Sequence, residues 1–105
     1  MVRGELFRLP APTRARGHEQ QGARYAVVIQ ADDLLGLSTV LVAPTSTSAR
    51  SATFRPTIDV LGTRSRVLVE QSTVVDDQRL GDSAGRLDAA EMRAVDDAVR
   101  LILAL

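Results

Sequence analysis

No cysteine occurs among the 105 residues, which excludes disulfides and thiolate metal sites. Tryptophan is missing, and Phe7, Tyr25 and Phe54 are the whole aromatic complement, 3% of the chain. The core must therefore be built from Val, Leu, Ile and Ala, and base stacking on aromatic rings cannot dominate any nucleic-acid recognition. Lysine is missing too: all thirteen basic residues are Arg, so every cation carries a planar fork suited to phosphate. The single histidine, His18, rules out a multi-His metal centre within one subunit. No stretch approaches the roughly 18 apolar residues of a membrane span, and no apolar signal segment opens the sequence. The expectation is a soluble cytoplasmic protein with no membrane contact, no metal and no cofactor.

What is present is enough for a core. Apolar residues make up 45% of the chain, and the length suits one domain over residues 1–105. The formal net charge of zero hides a division. Residues 1–69 hold nine Arg against five acids, a balance of +4, and residues 70–105 hold four Arg against eight acids, a balance of −4. A basic front suits a face offered to an anion, although a solvated acidic helix would give the same division.

The pattern predicts strands first and a helix last. Gly4–Leu9 reads as a short strand, Pro10–Arg24 as a long loop, and Ala26–Gln30 as an apolar strand buried on both faces. Asp32–Gly36 is a turn, and Thr39–Ala43 is a second apolar strand ending at the hydroxyl-rich run Pro44-Thr45-Ser46-Thr47-Ser48. Thr57–Leu61 and Ser65–Gln71 pair around Leu61-Gly62-Thr63-Arg64. Thr73–Leu80 is ambiguous, a short strand and one helical turn. Asp88 with Glu91 three residues on has the form of a capping box, opening a helix whose Met92, Val95, Val99 and Ile102 share a stripe. Leu101, Leu103 and Leu105 widen that stripe. Core packing is its simplest use, with a dimer contact the alternative. The expected fold is a small curled antiparallel sheet with a C-terminal helix.

Chemistry points to the loop and the strand ends. Gly17-His18-Glu19-Gln20-Gln21-Gly22-Ala23-Arg24 sets a polar loop, then a fixed positive charge, at the mouth of an apolar strand. A small domain presents a phosphate-binding group on a rigid support in this way. Arg24 opens one apolar strand and Thr45 closes the next, so antiparallel pairing can bring them to one edge. Glu70-Gln71 is a third polar strand end. Each alone is an ordinary exposed terminus; their convergence is the signal.

These residues carry a resemblance. Arg3-Gly4-Glu5, the run Gly17-x-Glu19-Gln20-x-Gly22-x-Arg24 leading into Val27-Val28-Ile29-Gln30, then Val40 to Thr45, Val69-Glu70-Gln71 and Asp76-x-Gln78-Arg79-Leu80 resemble the MazF/PemK family of toxin endoribonucleases. The likeness covers nearly the whole chain in order. Tyr25 stands where the family usually has Pro, and Ser46–Pro56 is rich in Ser, Thr and Arg where members vary.

The resemblance implies an SH3-like barrel with a C-terminal helix, of the CcdB/PemK kind, working as a homodimer. It implies metal-independent cleavage of single-stranded RNA through the 2′-hydroxyl, and a cognate MazE-like antitoxin. Arg24 and Thr45 carry over as the catalytic pair, Arg24 gripping the phosphate and Thr45 donating its hydroxyl. His18 and Glu19 are the candidate proton acceptors. Glu19, Gln20, Glu70 and Gln71 suit base edges better than acid–base work, with Ser46 among the RNA contacts, while Arg14, Arg16 and Arg50 steer the backbone. Two other classes compete: a CcdB-like gyrase poison, and a non-enzymatic barrel that binds RNA or a peptide.

Overall fold

The computed structural model describes residues 1–10 and 24–105. Seven strands and one helix follow in order: β1 (Glu5–Leu9), β2 (Arg24–Val28), β3 (Thr39–Ser46), β4 (Thr57–Val60), β5 (Thr63–Val67), β6 (Thr73–Asp76), β7 (Ser83–Arg86) and α1 (Ala89–Leu103). The sheet runs β4-β5-β3-β2-β1-β7, with β6 added on β3. All pairings are antiparallel, and the sheet curls into a nearly closed barrel with the helix packed against it.

β3 organises the sheet. One edge pairs with β2, while the other pairs with β6 over Thr39–Val42 and then with β5 at Thr45 and Ser46. The sequence pattern ends this strand at Ala43, because proline lacks a ladder donor. In the structure it runs on through Pro44 to Ser46. The Pro44 carbonyl accepts from the Leu68 N–H at 2.8 Å, so Pro44 presents its backbone to the β5 side. Its missing N–H falls in the gap where β6 has ended and β5 has yet to begin, where no ladder bond is lost.

Alternation along β2 and β3 builds two apolar clusters. Val27 and Ala43 face one cluster with Leu6, Ile58, Val60, Val67, Val95 and Ala98, which the helix covers. Ala26, Val28, Val40 and Val42 face the other, with Val75 and flanking Phe7, Leu9, Leu35 and Leu80. A strand buried on both faces reads as a continuous apolar run, as β2 does.

Several boundaries differ from the pattern. Ser65–Gln71 is not one strand: β5 covers Thr63–Val67, and Val69–Gln71 is a 3-10 turn. Thr73–Leu80 resolves into β6 and a 3-10 turn at Asp77–Arg79. Leu61 and Gly62 both take positive φ, 51° and 86°, the tight hairpin turn between β4 and β5. β7, Ser-Ala-Gly-Arg, has no apolar alternation to announce it and exists through pairing with β1.

Asp88 and Glu91 form the full capping box of α1. Val95 and Ala98 are buried and Met92 and Val99 partly so, but the stripe does not stay in the core. Leu101, Leu103 and Leu105 are 57%, 60% and 82% exposed. Leu103 lines a groove of about 320 Å³ together with apolar Ile29, Leu41, Val69, Val99 and Ile102.

The Arg3-Gly4-Glu5 run is a structural clasp. The Arg3 N–H donates to Asp32 Oδ1 at 2.6 Å, its Nε to the Ile29 carbonyl at 2.9 Å, and its Nη1 to Asp96 Oδ1 at 2.7 Å, tying β2 and α1 to the chain start. Gly4 has φ +89°, which strains any side chain there, and a Cβ would lie 2.9 Å from Met92 Sδ, so the thioether would have to shift.

Candidate nucleic-acid interface

Register decides which polar groups meet. β2 and β3 pair at Ala26 with Pro44, Val27 with Ala43 and Val28 with Val42. Continuing this register places Tyr25 beside Thr45 and Arg24 beside Ser46. The Thr45 hydroxyl donates to the Tyr25 carbonyl at 3.1 Å, which agrees. Side chains of directly opposed residues share a face, and successive residues alternate. Arg24 and Ser46 therefore share one face, while Thr45 lies on the other.

Thr45 is 4% exposed and sits across from core residue Val67, on the face that Ala43 turns to the helix-covered cluster. In this continued register Arg24 and Thr45, the pair the sequence brings to one edge, lie one residue apart on opposite faces. Strand ends adjoin as expected, but the pleat turns Thr45 inward and brings Ser46 round to Arg24.

Ser46 is held firmly. Its Oγ accepts from the Ser48 N–H at 3.2 Å and the Ala49 N–H at 3.0 Å, a hydroxyl-centred turn that ends β3. Across the other edge of β3, Ser46 pairs with Arg66, and Arg66 pairs with Thr57 on β4. One row, Arg24–Ser46–Arg66–Thr57, thus crosses four strands on one face. Arg66 donates from Nε to the Ala49 carbonyl at 3.1 Å and from Nη1 to Thr57 Oγ1 at 3.3 Å. Among the described residues, neither Arg24 nor Arg66 has a carboxylate partner; the arginines so engaged are Arg3, Arg55 and Arg100. Two half-buried guanidinium groups therefore share this row with one hydroxyl, neither paired with a carboxylate among the described residues.

The other expected contacts divide. Arg50 is exposed in the loop after β3, and its carbonyl accepts from Arg55 Nη1 at 3.2 Å. Gln71 is exposed at the end of the 3-10 turn. Glu70 is engaged instead of open. Its Oε2 accepts from Arg55 Nε at 2.9 Å and Nη2 at 2.5 Å, and its Oε1 is buried with no partner among the described residues. The Glu70 carboxylate holds the Arg55 guanidinium pKa above its ordinary value, outweighing burial. Arg55 also lies over the Phe54 ring, 5.5 Å from its centre. Arg14, Arg16, His18, Glu19 and Gln20 lie outside the described residues.

Arg55, Thr57 and Arg66 do not stand out in the sequence pattern. A signal exists for Arg66: in Thr63-Arg64-Ser65-Arg66-Val67, counting back from apolar Val67 puts both arginines on the outward face. Nothing local marks Arg55, whose partner lies fifteen residues on.

Comparison with known proteins bears on this surface. The model of the PemK-like, MazF-like toxin family of type II toxin–antitoxin systems matches residues 2–103. The chain belongs to this family. A relative from Mycobacterium tuberculosis (strain H37Rv), which carries the name "Putative toxin", is 42% identical over 106 residues, covering 100% of this chain and 99% of that protein. Among solved structures, an endoribonuclease in complex with its cognate antitoxin from a mycobacterial species superposes with a TM-score of 0.80 at 18% identity, covering 100% of this chain and 96% of that one. MazF from Deinococcus radiodurans gives 0.80 at 24% identity, covering 100% and 97%. At these identities the likeness is one of fold, and it bears out the PemK-like barrel with its C-terminal helix. Within that barrel, this PemK/MazF-like chain builds its charged row from β2, β3, β5 and β4.

Proposed function

We propose that this type II toxin-family chain is an endoribonuclease that cuts single-stranded RNA at a short sequence without a metal ion. The observation that carries the reading is Arg24, a fork at the start of a strand, with no carboxylate partner among the described residues and in the same row as the anchored Ser46. Cleavage of this kind forms a bond between the RNA 2′-oxygen and phosphorus and breaks the bond from phosphorus to the 5′-oxygen. One proton leaves the 2′-hydroxyl and another reaches the departing 5′-oxygen. The products are a 2′,3′-cyclic phosphate and a 5′-hydroxyl.

Arg24 grips two oxygens of the crowded phosphate and stabilises the charge that grows there. An arginine stays protonated, so it suits this role better than that of a base. Ser46, on the same face, supplies the hydroxyl contact first expected of Thr45. Thr45 holds the β2–β3 junction through Tyr25. His18 and Glu19 remain the proposed proton acceptors, with imidazole better matched in pKa. Gln20 and Gln71 read base edges, Arg14, Arg16 and Arg50 steer the backbone, and Glu70 reaches bases only by leaving Arg55.

The same basic row suits a MazE-like antitoxin, whose acidic segment would occupy the RNA path. The apolar end of α1 beside its groove suits a homodimer. The test is incubation of wild type and Arg24→Ala with defined single-stranded RNA in EDTA, with the product ends analysed. Site-restricted cleavage leaving cyclic phosphate and 5′-hydroxyl ends, reduced about 100- to 1,000-fold in the variant, is the expected result. Wild-type protein that cuts none of several varied RNAs would overturn the reading.

A further inference from the structure

The reading above gives Arg66 no individual role on RNA, yet the structure fixes its side chain more fully than that of Arg64, the other outward arginine of the β4–β5 hairpin. It pairs with Ser46 across the β5 edge of β3, and the β2–β3 register, continued two residues, brings Arg24 to Ser46 from the other edge. Strand spacing is about 4.8 Å, so the two arginine backbones stand about 10 Å apart with the Ser46 hydroxyl between them. Both side chains are long enough to close on one stretch of a phosphodiester backbone. The Arg66 fork is fixed by the Ala49 carbonyl at Nε and by Thr57 at Nη1, which leaves its Nη2 edge unbonded among the described residues. Both of these partners are neutral, so the positive charge is oriented without being cancelled.

Arg64 provides the contrast. It lies on the same face two residues earlier, but it is exposed, opposes Asp59 across the hairpin and makes no hydrogen bond among the described residues. A fixed guanidinium with its charge intact costs less to immobilise on an anion than a free one does.

We infer that Arg66 is a second phosphate-binding residue, which holds the RNA backbone beside the phosphate gripped by Arg24. This rests on the ribonuclease reading and adds to it a residue that acts on substrate binding. Arg66 contacts a phosphate that does not react, so its loss weakens ground state and transition state alike. KM rises while kcat holds.

The test uses the full chain and an RNA oligonucleotide spanning the mapped cleavage position, with the 2′-hydroxyl there replaced by hydrogen so that it binds uncut. Affinity is measured across a salt series for wild type, Arg66→Gln, Arg66→Lys and Arg64→Gln, alongside cleavage of the unmodified RNA. Loss of one phosphate contact from a single strand lowers the slope of log affinity against log salt by about 0.7. Arg66→Gln is expected to show that drop, with affinity down about tenfold at moderate salt, and with kcat at saturating RNA within about threefold of wild type, as loss of one charge-assisted contact implies. Arg66→Lys keeps the charge without the fork, so it restores the slope but only part of the affinity. Arg64→Gln leaves both close to wild type.

A structural role alone would lower the melting temperature without moving the slope. If Arg66→Gln fails to fold, Arg66→Lys decides: wild-type affinity in that variant overturns the inference. So do an unchanged slope in Arg66→Gln, or an equal loss in Arg64→Gln. Wild-type protein that cuts RNA while Arg66→Gln behaves identically sinks this inference alone. Wild-type protein that neither binds nor cuts RNA sinks the ribonuclease reading with it.

Discussion

At the scale of single residues, one step along β3 puts two buried hydroxyls, Thr45 and Ser46, on opposite faces, the second in the basic row. Thr45 lies across from Val67 in the core and Ser46 across from Arg66. Ser46→Ala is therefore expected to lower cleavage by about 100-fold while the protein stays folded, as for the loss of one oriented donor. Thr45→Val should keep cleavage but lose about 1 kcal/mol of stability, the value of its hydrogen bond to Tyr25. Paired cleavage and denaturation measurements on the two variants check this; the reverse pattern would return the role to Thr45. Glu5 offers a pH test. The Ser83 hydroxyl, donating at 2.6 Å, and the Val2 backbone hold the Glu5 carboxyl below its ordinary value of 4.5, against the opposing effect of burial. A depressed folded pKa adds stability that is complete above the unfolded value and is lost as pH falls through the folded one. Urea denaturation of wild type and Glu5→Gln should differ most at neutral pH and converge in acid below 4.5. A difference that persists undiminished in strong acid would contradict the assignment.

Elements hold their places for reasons of unequal visibility. The cap of α1 is local: Asp88 accepts from the Glu91 N–H at 2.7 Å, and Glu91 Oε1 accepts from the Asp88 N–H at 2.9 Å. Glu91 Oε2 also accepts from the Asp59 N–H at 2.8 Å, which ties the helix start to β4. Asp88→Ala should cost about 1 kcal/mol, read from the denaturation midpoint. A variant as stable as wild type would show that the contact with β4 carries the helix start without the cap. β3 is different. Its length depends on two partners that arrive from later in the chain, β6 and then β5, and a local pattern stops it at Pro44. The same dependence hides β7, which has no apolar face of its own and forms on the edge of β1.

Across the whole molecule, the charge division and the helix end point in different directions. The basic row lies on the strands, while the acids of α1 are partly absorbed: Asp96 by Arg3 and Asp97 by Arg100. The apolar end of α1 is left outside the core, beside a groove that also contains Glu70. Through Arg55, Glu70 reaches the Arg50 carbonyl, so this groove and the loop after β3 share a wall. Burying one leucine gives about 1.5–3 kcal/mol, and a symmetric pair would bury one copy of each such leucine from each protomer. Leu101→Glu with Leu103→Glu is expected to move the sedimenting mass from dimer toward monomer while circular dichroism stays native. Wild type sedimenting as a monomer at the same concentration would remove the groove from the dimer proposal.

Local physics made much of this protein legible in the sequence. The apolar runs of β2 and β3, the Leu61-Gly62 turn, the capping box and the placement of Arg24 at a strand mouth all depend on residues within a few positions of each other. Composition alone restricted the core to aliphatic side chains and the cations to arginine forks. Tertiary structure decided what depends on distant partners. It set which of two adjacent hydroxyls faces Arg24, because the face follows from register and a slip of one residue exchanges the faces. It coupled Glu70 to Arg55, and it carried Arg66 across two strands to the row that begins at Arg24. It also left the last turn of α1 in the open, because the helix meets the core through Val95 and Ala98 and the leucines that follow lie beyond that contact.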